Sequence, residues 1–300
     1  MSYLLTICIP TYNRAEMTIN LINTLPVDDN VEYIVIDDGS REEEVAELEK
    51  FISESNSSVK LYKKKNGGKL SAVRAGLEYA LGAFFMDLDD DDLFNKQHLT
   101  NILTGIELFN ENLKYDSKLV GFSGLCEDVN SGIIGDKFPE DKLISNFLAI
   151  RADYKVAGDK KEVILTQALR SIRIKFYEGE RRVPTSTQWA LLADKSILFF
   201  NKAFIIKNYL ETGLSKNLGK VRVKSPFSSR QVYEVRINHF NTQYKNFRYF
   251  MRSAVNFYRF SLHGATPFFP VCKSSQVMLL TIPAIPIAFL LYLKDKIFYK

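Results

Sequence analysis

Residues 84–92 read Phe84-Phe85-Met86-Asp87-Leu88-Asp89-Asp90-Asp91-Asp92, an aromatic and aliphatic run that breaks off into four consecutive carboxylates. Apolar side chains of that kind predict a buried strand, so the acids stand where the strand leaves the sheet and meets solvent. Adjacent carboxylates repel and raise one another's pKa unless a cation lies among them, whereas a hard divalent ion takes carboxylate oxygens readily. A solvated acidic turn is the plain alternative for any acid run. The chain on the amino-terminal side decides in favour of a site.

Leu4 to Ile9 is a short apolar run that stops at Pro10 and predicts a first buried strand. The loop Pro10-Thr11-Tyr12-Asn13-Arg14 follows, then a helix with Met17, Leu21, Ile22 and Leu25 on one side. Tyr33 to Ile36 predicts a second strand that also ends in acids, Asp37-Asp38-Gly39-Ser40. Glu42, Glu43 and Glu44 then suit the positive end of a helix dipole. Val59 to Tyr62 predicts a third strand, Asn66-Gly67-Gly68 a turn, Ser71 to Leu81 a helix, and Ala83 to Leu88 the fourth strand. Strands and helices alternating over short loops predict an α/β fold with a Rossmann-like, mostly parallel, doubly wound sheet. Ligands bind outside the carboxyl ends of such strands, so Asp37/Asp38 and Asp89/Asp91/Asp92 are expected to face one crevice. Beyond Leu99 the alternation weakens.

The net charge of +5 over 300 residues hides an asymmetry: residues 1–115 carry 11 Lys/Arg against 20 Asp/Glu, and residues 201–260 carry 12 against 2. The first stretch suits a cation and the second an anionic surface. No helix-turn-helix, RRM or zinc-finger pattern accompanies the basic stretch, so anionic lipid or a phosphate-bearing acceptor is expected there and no nucleic acid. Phe247, Tyr249, Phe250, Phe257, Tyr258 and Phe260 interleave with its charges, which reads as a face meeting headgroups; a solvated amphipathic helix is the alternative. Cys8, Cys126 and Cys272 are odd in number and widely spaced, and His98, His239 and His263 are isolated, which fits a reducing cytosol and excludes a zinc site. The apolar run at Leu4 lacks a basic n-region and a cleavage site, so no signal sequence is expected.

Ser274 to Leu293 runs for 20 residues without a charge, between Lys273 and Lys294-Asp295-Lys296. That length just spans a bilayer, and Pro283 and Pro286 are expected to break the helical ladder. A broken hairpin lying on or dipping into the membrane is preferred to a full span or a buried core helix. Two ligand-binding motifs fail: a P-loop for phosphate would need Gly where Lys63 stands and Ser or Thr where Leu70 stands, and an EF-hand for Ca2+ from Asp87 places Asp92 and His98 at its Gly and Glu positions.

The strings Ile9-Pro10-Thr11-Tyr12-Asn13-Arg14, Val35-Ile36-Asp37-Asp38-Gly39-Ser40 and Gly82-x-Phe84-x-x-x-Leu88-Asp89-Asp90-Asp91-Asp92 occur together and in this order. Together they resemble the family 2 glycosyltransferases of GT-A fold, of bacterial surface-polysaccharide type (capsule, O-antigen, exopolysaccharide). The likeness is firm over the first 100 residues and looser through Gly121-Phe122-Ser123-Gly124, Gly158-Asp159-Lys160 and Gly179-Glu180-Arg181-Arg182-Val183-Pro184. It implies a nucleotide-sugar-binding half over 1–115, an acceptor-binding half over 116–220 and a helical, membrane-associating extension over 221–300.

The resemblance further implies that Pro10, Thr11, Tyr12 and Arg14 shape the nucleotide site, with Thr11 and Tyr12 against base and ribose and Asp38 accepting the base's imino N–H. Asp89 and Asp90 would contact the donor, Asp91 with Asp89 would hold Mn2+ or Mg2+ at the diphosphate, and Lys69 and Arg74 would lie near the phosphates. Read from the residues alone, Tyr12 is equally a turn aromatic, Asp38 a helix N-cap and Lys69 a solvated cation.

Sugar transfer with inversion also needs a carboxylate to take the acceptor hydroxyl's proton. Relatives commonly place an acid directly after the proline that matches Pro184; here that residue is Thr185, which is no base. Glu180 is the first candidate, followed by Glu178 and Asp159, and an ion pair of Glu180 with Arg181 or Arg182 is the competing reading. Trp189, the single tryptophan, stacks on an acceptor sugar or sits in the core. The expected protein is a metal-dependent, inverting glycosyltransferase taking its sugar from a nucleotide-sugar donor, a UDP-sugar foremost. Its acceptor would be a lipid-linked or growing surface glycan, and its place the cytoplasm, peripheral on the inner face of the plasma membrane with C-terminal insertion as an option. A metal-dependent nucleotidyltransferase or phosphatase, and an inactive glycan-binding protein, are the alternatives.

Overall fold

The apolar runs of the first hundred residues fold as strands, each a residue or two displaced from its sequence-predicted bounds. The structure is a computed structural model that describes residues 3–55, 58–180, 182–208, 218–264 and 267–299. In chain order its first elements are β1 (Leu5–Thr11), α1 (Ala15–Thr24), β2 (Val31–Asp37), α2 (Glu42–Glu54), β3 (Lys60–Lys63), α3 (Lys69–Tyr79), β4 (Phe84–Asp87) and α4 (Lys96–Leu113). There follow β5 (Leu119–Asp128), β6 (Gly132–Ile133), β7 (Leu143–Ser145), α5 (Phe147–Ala152), β8 (Lys160–Leu165), α6 (Thr166–Ser171), α7 (Ser186–Leu191) and β9 (Ser196–Lys207). The chain ends in α8 (Leu218–Lys224), α9 (Pro226–Asn238), α10 (Phe247–Gly264), α11 (Ser275–Thr281) and α12 (Ile285–Phe298). Two units interleave along this order: Met1–Ser145 with Val156–Arg173 and Lys195–Glu211, and Asn146–Lys155 with Ile174–Asp194 and Thr212–Lys300.

All the described strands lie in the first unit, in one sheet of order β3-β2-β1-β4-β8-β5-β9-β7, with β6 paired to β5. β3, β2, β1 and β4 are mutually parallel, as the alternation predicts. β8 enters antiparallel between β4 and β5, so the sheet is mixed. Every residue of β1 and β2 is buried, as strands covered on both faces require. Pro10 does not end β1 as expected: Pro10 and Thr11 continue the pairing with β2. Pairing with β4 stops earlier, at Cys8 opposite Asp87, and its last bond runs from Leu88 N–H to the Cys8 carbonyl. The missing N–H of Pro10 therefore falls where β4 no longer needs a partner, and β1 and β4 are free to part beyond it.

Helices α3 and α6 terminate on each other's arginines. Arg170 of α6 donates to the carbonyls of Leu77 (2.8 Å) and Ala80 (2.9 Å) at the end of α3, and Arg74 of α3 donates to the Leu169 carbonyl (2.6 Å) near the end of α6. Each guanidinium meets carbonyls that have no partner within their own helix and the negative end of its dipole.

The second unit is helical around an aromatic core that includes Tyr233, Phe240, Tyr244, Phe250, Phe257, Tyr258 and Phe260. These rings leave no exposed aromatic face on α10 of the kind expected for headgroups; of the interleaved aromatics, Phe247 is the one that is exposed. The helical spacing Phe250, Ala254, Phe257, Ser261 carries the buried stripe, and the basic residues take the other side. The expected hairpin is likewise absent: Ser275–Phe298 is one helical run of 24 residues that contains an 18-residue stretch of mean hydropathy 2.0. Pro283 and Pro286 sit in the first turns of the segments they begin, where their N–H groups would have had no helical partner, and a 3₁₀ turn at Ile282–Ala284 absorbs the change. Thr281, Ala284, Ala288 and Asp295 form the buried side of this run, whereas Leu279, Ile287, Leu290 and Ile297 are exposed. Buried Asp295 receives Arg259 Nε at 2.6 Å and lies 2.9 Å from His263 Nε2, which ties α12 to α10.

Candidate active site

The acidic run leaves β4 and is pinned at its far end by Leu93, which exchanges two backbone bonds with Ile206 of β9 (2.8 and 3.0 Å). The loop after β1 is tied to the same turn. Thr11 donates to Asp90 Oδ2 at 2.9 Å, and Arg14 NH1 bridges Asp90 Oδ1 (2.9 Å) and Asp91 Oδ2 (3.0 Å). Asn13, in the left-handed region at φ 52, accepts from Arg41 N–H (2.9 Å) while its own N–H donates to Ser40 Oγ (2.8 Å). This joins the first loop to the Asp37-Asp38-Gly39-Ser40 turn. Asp38, buried, accepts from Lys64 Nζ (2.6 Å), Gly67 N–H (3.0 Å) and Gly68 N–H (2.7 Å), which ties that turn to the loop before α3. Gly39 has φ +78, and a Cβ there would stand 2.7 Å from Asn66 N, so these two loops meet because no side chain separates them.

Four loops at the carboxyl ends of parallel strands are thus one hydrogen-bonded assembly, and the sequence-predicted residues Pro10, Thr11, Tyr12, Arg14, Asp38, Lys69, Asp89, Asp90 and Asp91 stand on it. Their availability differs. Tyr12 is 45 % exposed and free to stack on a ligand. Asp90 is buried by its ties to Thr11 and Arg14, and burial raises its pKa although Arg14 opposes the rise. Arg74 lies on α3, with its guanidinium engaged by the carbonyls at α6.

Of the cations around the acids, Lys69 and Arg14 were expected at the site from the sequence, and Lys207 and Lys161 were not. Lys207, at the end of β9, reaches Asp89 Oδ2 (2.9 Å) and Asp92 Oδ2 (3.0 Å); Lys69 pairs with Asp89; and Lys161 of β8 donates to the Asp87 carbonyl at 2.8 Å. Burial opposes ionisation of Asp89, but Lys69 and Lys207 hold its carboxyl well below the usual range. Burial and the neighbouring Asp89 push Asp92 up to about 6. A lysine inside an otherwise apolar strand, as in Ile205-Ile206-Lys207, was the available signal, since an amine is rarely buried without a carboxylate to meet it.

Asp89, Asp91 and Asp92 each present an oxygen, all within 4.8 Å of one another. A donor set of carboxylates alone fits Mg2+ or Mn2+. Asp92 is buried against Lys207 and Asp89 is engaged by both Lys207 and Lys69, so the part-exposed Asp91, which accepts from Arg14, is the ligand best placed to take a cation, and Asp89 would share its oxygens between a cation and those lysines.

Of the remaining sequence candidates, Asp159 lies in the first unit, directly before β8, and the others lie in the second. Both oxygens of Glu180 accept backbone N–H groups at the start of α9, Phe227 at 2.9 Å and Ser228 at 2.7 Å. Glu180 thereby serves where Ser225, at the N-cap, makes no side-chain bond. Arg181 lies outside the described residues. Glu178 is exposed, Thr185 precedes α7, and Trp189 stacks on Phe147 with ring centroids 5.1 Å apart.

Residues 6–113 match the family described as glycosyl transferase family 2. An uncharacterized glycosyltransferase of Rickettsia conorii is 32 % identical over 141 residues, covering 45 % of this chain and 23 % of its own length. The poly(ribitol-phosphate) beta-N-acetylglucosaminyltransferase TarS of Staphylococcus aureus is 24 % identical over 234 residues, 77 % of this chain and 39 % of its own. The chain therefore spans about a quarter to two fifths of the length of these relatives. Among solved structures, S. aureus TarS 1–349 in complex with UDP-GlcNAc aligns over 98 % of this chain and 91 % of its own, with TM-score 0.57 and 16 % identity. The mannosyltransferase PcManGT from Pyrobaculum calidifontis, in complex with GDP-Man and Mn2+, aligns over 99 % and 88 % with TM-score 0.55 and 14 % identity. The chain has the GT-A fold, and residues 6–113 are similar to glycosyl transferase family 2.

Proposed function

We propose that this chain transfers a sugar, with inversion, from a UDP-linked donor to a lipid-linked or growing surface glycan. The observation that carries this is the tie of the Thr11–Arg14 loop and the Asp38 turn to the acidic run, which gathers these loops around carboxylates at strand ends. The complexes of the two structural neighbours, UDP-GlcNAc in one and GDP-Man with Mn2+ in the other, support a nucleotide sugar as donor.

In this reading Tyr12 stacks on the base and Asp38 accepts its imino N–H, using the one lone pair, on Oδ2, that its three present donors leave. Lys69 faces the diphosphate as a point charge. Asp91 and Asp89 hold Mn2+ or Mg2+, which when bound supplies positive charge to the departing diphosphate. Glu180 is the proposed acceptor of the hydroxyl proton, with Glu178 second. Trp189 contributes to the acceptor side through the packing of α7.

The direct measurement is release of free nucleoside diphosphate from a panel of nucleotide sugars, with and without EDTA. UDP release from one UDP-sugar that falls at least about tenfold on chelation is the expected result. Release of pyrophosphate instead would favour a nucleotidyltransferase, and UDP binding without turnover a glycan-binding protein.

The exposed side of α11 and α12 supports a place on the inner membrane face. Leu290 (66 % exposed) and Ile297 (73 %) project from a helix whose last turns carry Lys294 and Lys296, the arrangement of an interfacial anchor. Leu290→Asp should reduce partition into anionic vesicles by about tenfold or more, the worth of one leucine withdrawn from hydrocarbon. Its melting temperature should not change, because the side chain already faces outward. Unaltered vesicle binding would remove this helix from the membrane.

A further inference from the structure

The second unit holds a cavity of about 40 Å3 lined by Pro184, Ser186, Arg222, Ser229, Tyr233 and Arg236. That is several times the ~10–15 Å3 one water needs on the same measure, and far too small for a nucleotide or a sugar chain. Two guanidiniums and three hydroxyl-bearing residues therefore share a space the size of a small oxyanion.

Its charges lack counter-charges. Among the described residues neither Arg222 nor Arg236 makes an ion pair, and the buried Nε of Arg236 has no hydrogen-bond partner. The buried Nε of neighbouring Arg182 has none either, and burial together with the charge of Arg222 holds the Arg182 guanidinium below its ordinary pKa. Nearby acids are committed elsewhere: Glu180 to the N–H groups of Phe227 and Ser228, and Glu234 to Val271 N–H (2.9 Å) and Arg230 (3.6 Å). Arg236 is also held in place, its guanidinium 5.5 Å from the ring centres of both Tyr233 and Tyr249. Part-buried cations that share one space with no paired carboxylate among the described residues raise the free energy of the empty site, and an anion relieves it. Planar donor forks that converge on a compact space match the tetrahedral oxygens of phosphate.

We propose that this pocket binds a phosphate group and that, resting on the transferase reading above, the phosphate belongs to the acceptor. A soluble phosphodiester glycan and a lipid phosphate present the same chemistry. The test uses the full chain with sn-glycerol 3-phosphate in solution and, separately, phosphatidylcholine vesicles with and without phosphatidic acid. Arg222→Gln and Arg236→Gln are compared with Lys220→Gln, which alters an exposed cation on α8 outside the pocket.

Binding that falls about tenfold or more in the two arginine variants and not in Lys220→Gln is the expected result, the effect of one charge-assisted bidentate contact. A loss seen with glycerol phosphate assigns a soluble phosphate, and a loss confined to phosphatidic acid vesicles assigns a lipid phosphate. No Arg222-dependent binding of either probe, or an equal loss in Lys220→Gln, overturns the proposal. Should Arg236→Gln fail to fold, Arg222→Gln decides alone, with Arg222→Lys retaining charge but losing the fork. Calorimetric binding of UDP with Mn2+ is measured in parallel and should be unchanged in every variant. A chain that binds phosphate but not UDP removes the transferase reading and leaves the pocket; one that binds UDP but neither phosphate probe does the reverse.

Discussion

Asp91→Asn should weaken Mn2+-dependent binding of UDP by about 100-fold, because a neutral amide replaces one of the two carboxylates proposed to hold the cation. The structure explains why this variant isolates the cation. Asp91 is part-exposed and uses one oxygen to accept from Arg14, a bond the asparagine oxygen can also accept. Asp90 differs: it is buried and holds both Thr11 and Arg14, so removing its charge would loosen the loops themselves. In metal-free buffer, Asp91→Asn should melt within about 0.5 kcal/mol of the parent, as exposed substitutions do. It relieves repulsion among adjacent carboxylates and leaves the ties of Asp90 in place. Calorimetry with UDP in the presence and absence of Mn2+ reads the first effect and thermal melting the second. Undiminished Mn2+-dependent binding would show that the acids here serve only Lys69, Lys207 and Arg14.

The parts of this site that could be read from the sequence are those built locally. β1, β2 and β4 are continuous apolar runs, and the acids that follow them are adjacent in the chain, so strand and site residue lie in one short window. The strings around Thr11, Asp38 and Asp90 are also the ones that the structure bonds together. What could not be read depends on distant pairing. β8 slots antiparallel between β4 and β5, and β9 lies parallel to β5, so Lys161 and Lys207 reach the acids from positions 74 and 115 or more residues away. Local pattern carries no information on such register. The prolines of the last helix misled for a different reason. Proline ends a helix it enters from within but begins one readily, and Pro283 and Pro286 lie at beginnings that only the 3₁₀ turn creates. The aromatic spacing of α10 did hold its answer: Phe250, Ala254 and Phe257 recur on one face, which separates a buried stripe from the basic side.

Glu180→Gln should abolish sugar transfer while leaving UDP binding intact, a loss of 10²- to 10⁴-fold if this carboxylate removes the acceptor's proton, the usual worth of a general base. The same residue has a structural task, and the size of that task can be bounded. Glu180 accepts Phe227 and Ser228 N–H groups in place of the silent Ser225 cap, so the substitution weakens the start of α9 by about 0.5–2 kcal/mol, the range measured for lost caps. Its two roles predict different observables. A cap alone lowers the melting temperature and leaves kcat nearly unchanged at temperatures where the protein is folded. A base lowers kcat by orders of magnitude there, with the acceptor KM little affected. Glu178→Gln serves as the comparison: Glu178 is exposed and is the alternative base, so a collapse of turnover in that variant with activity retained in Glu180→Gln would move the assignment two residues upstream. Turnover retained in both would leave Glu180 as a helix cap supplied from 47 residues away, and the proton would have to leave by a group outside the Gly179–Pro184 stretch.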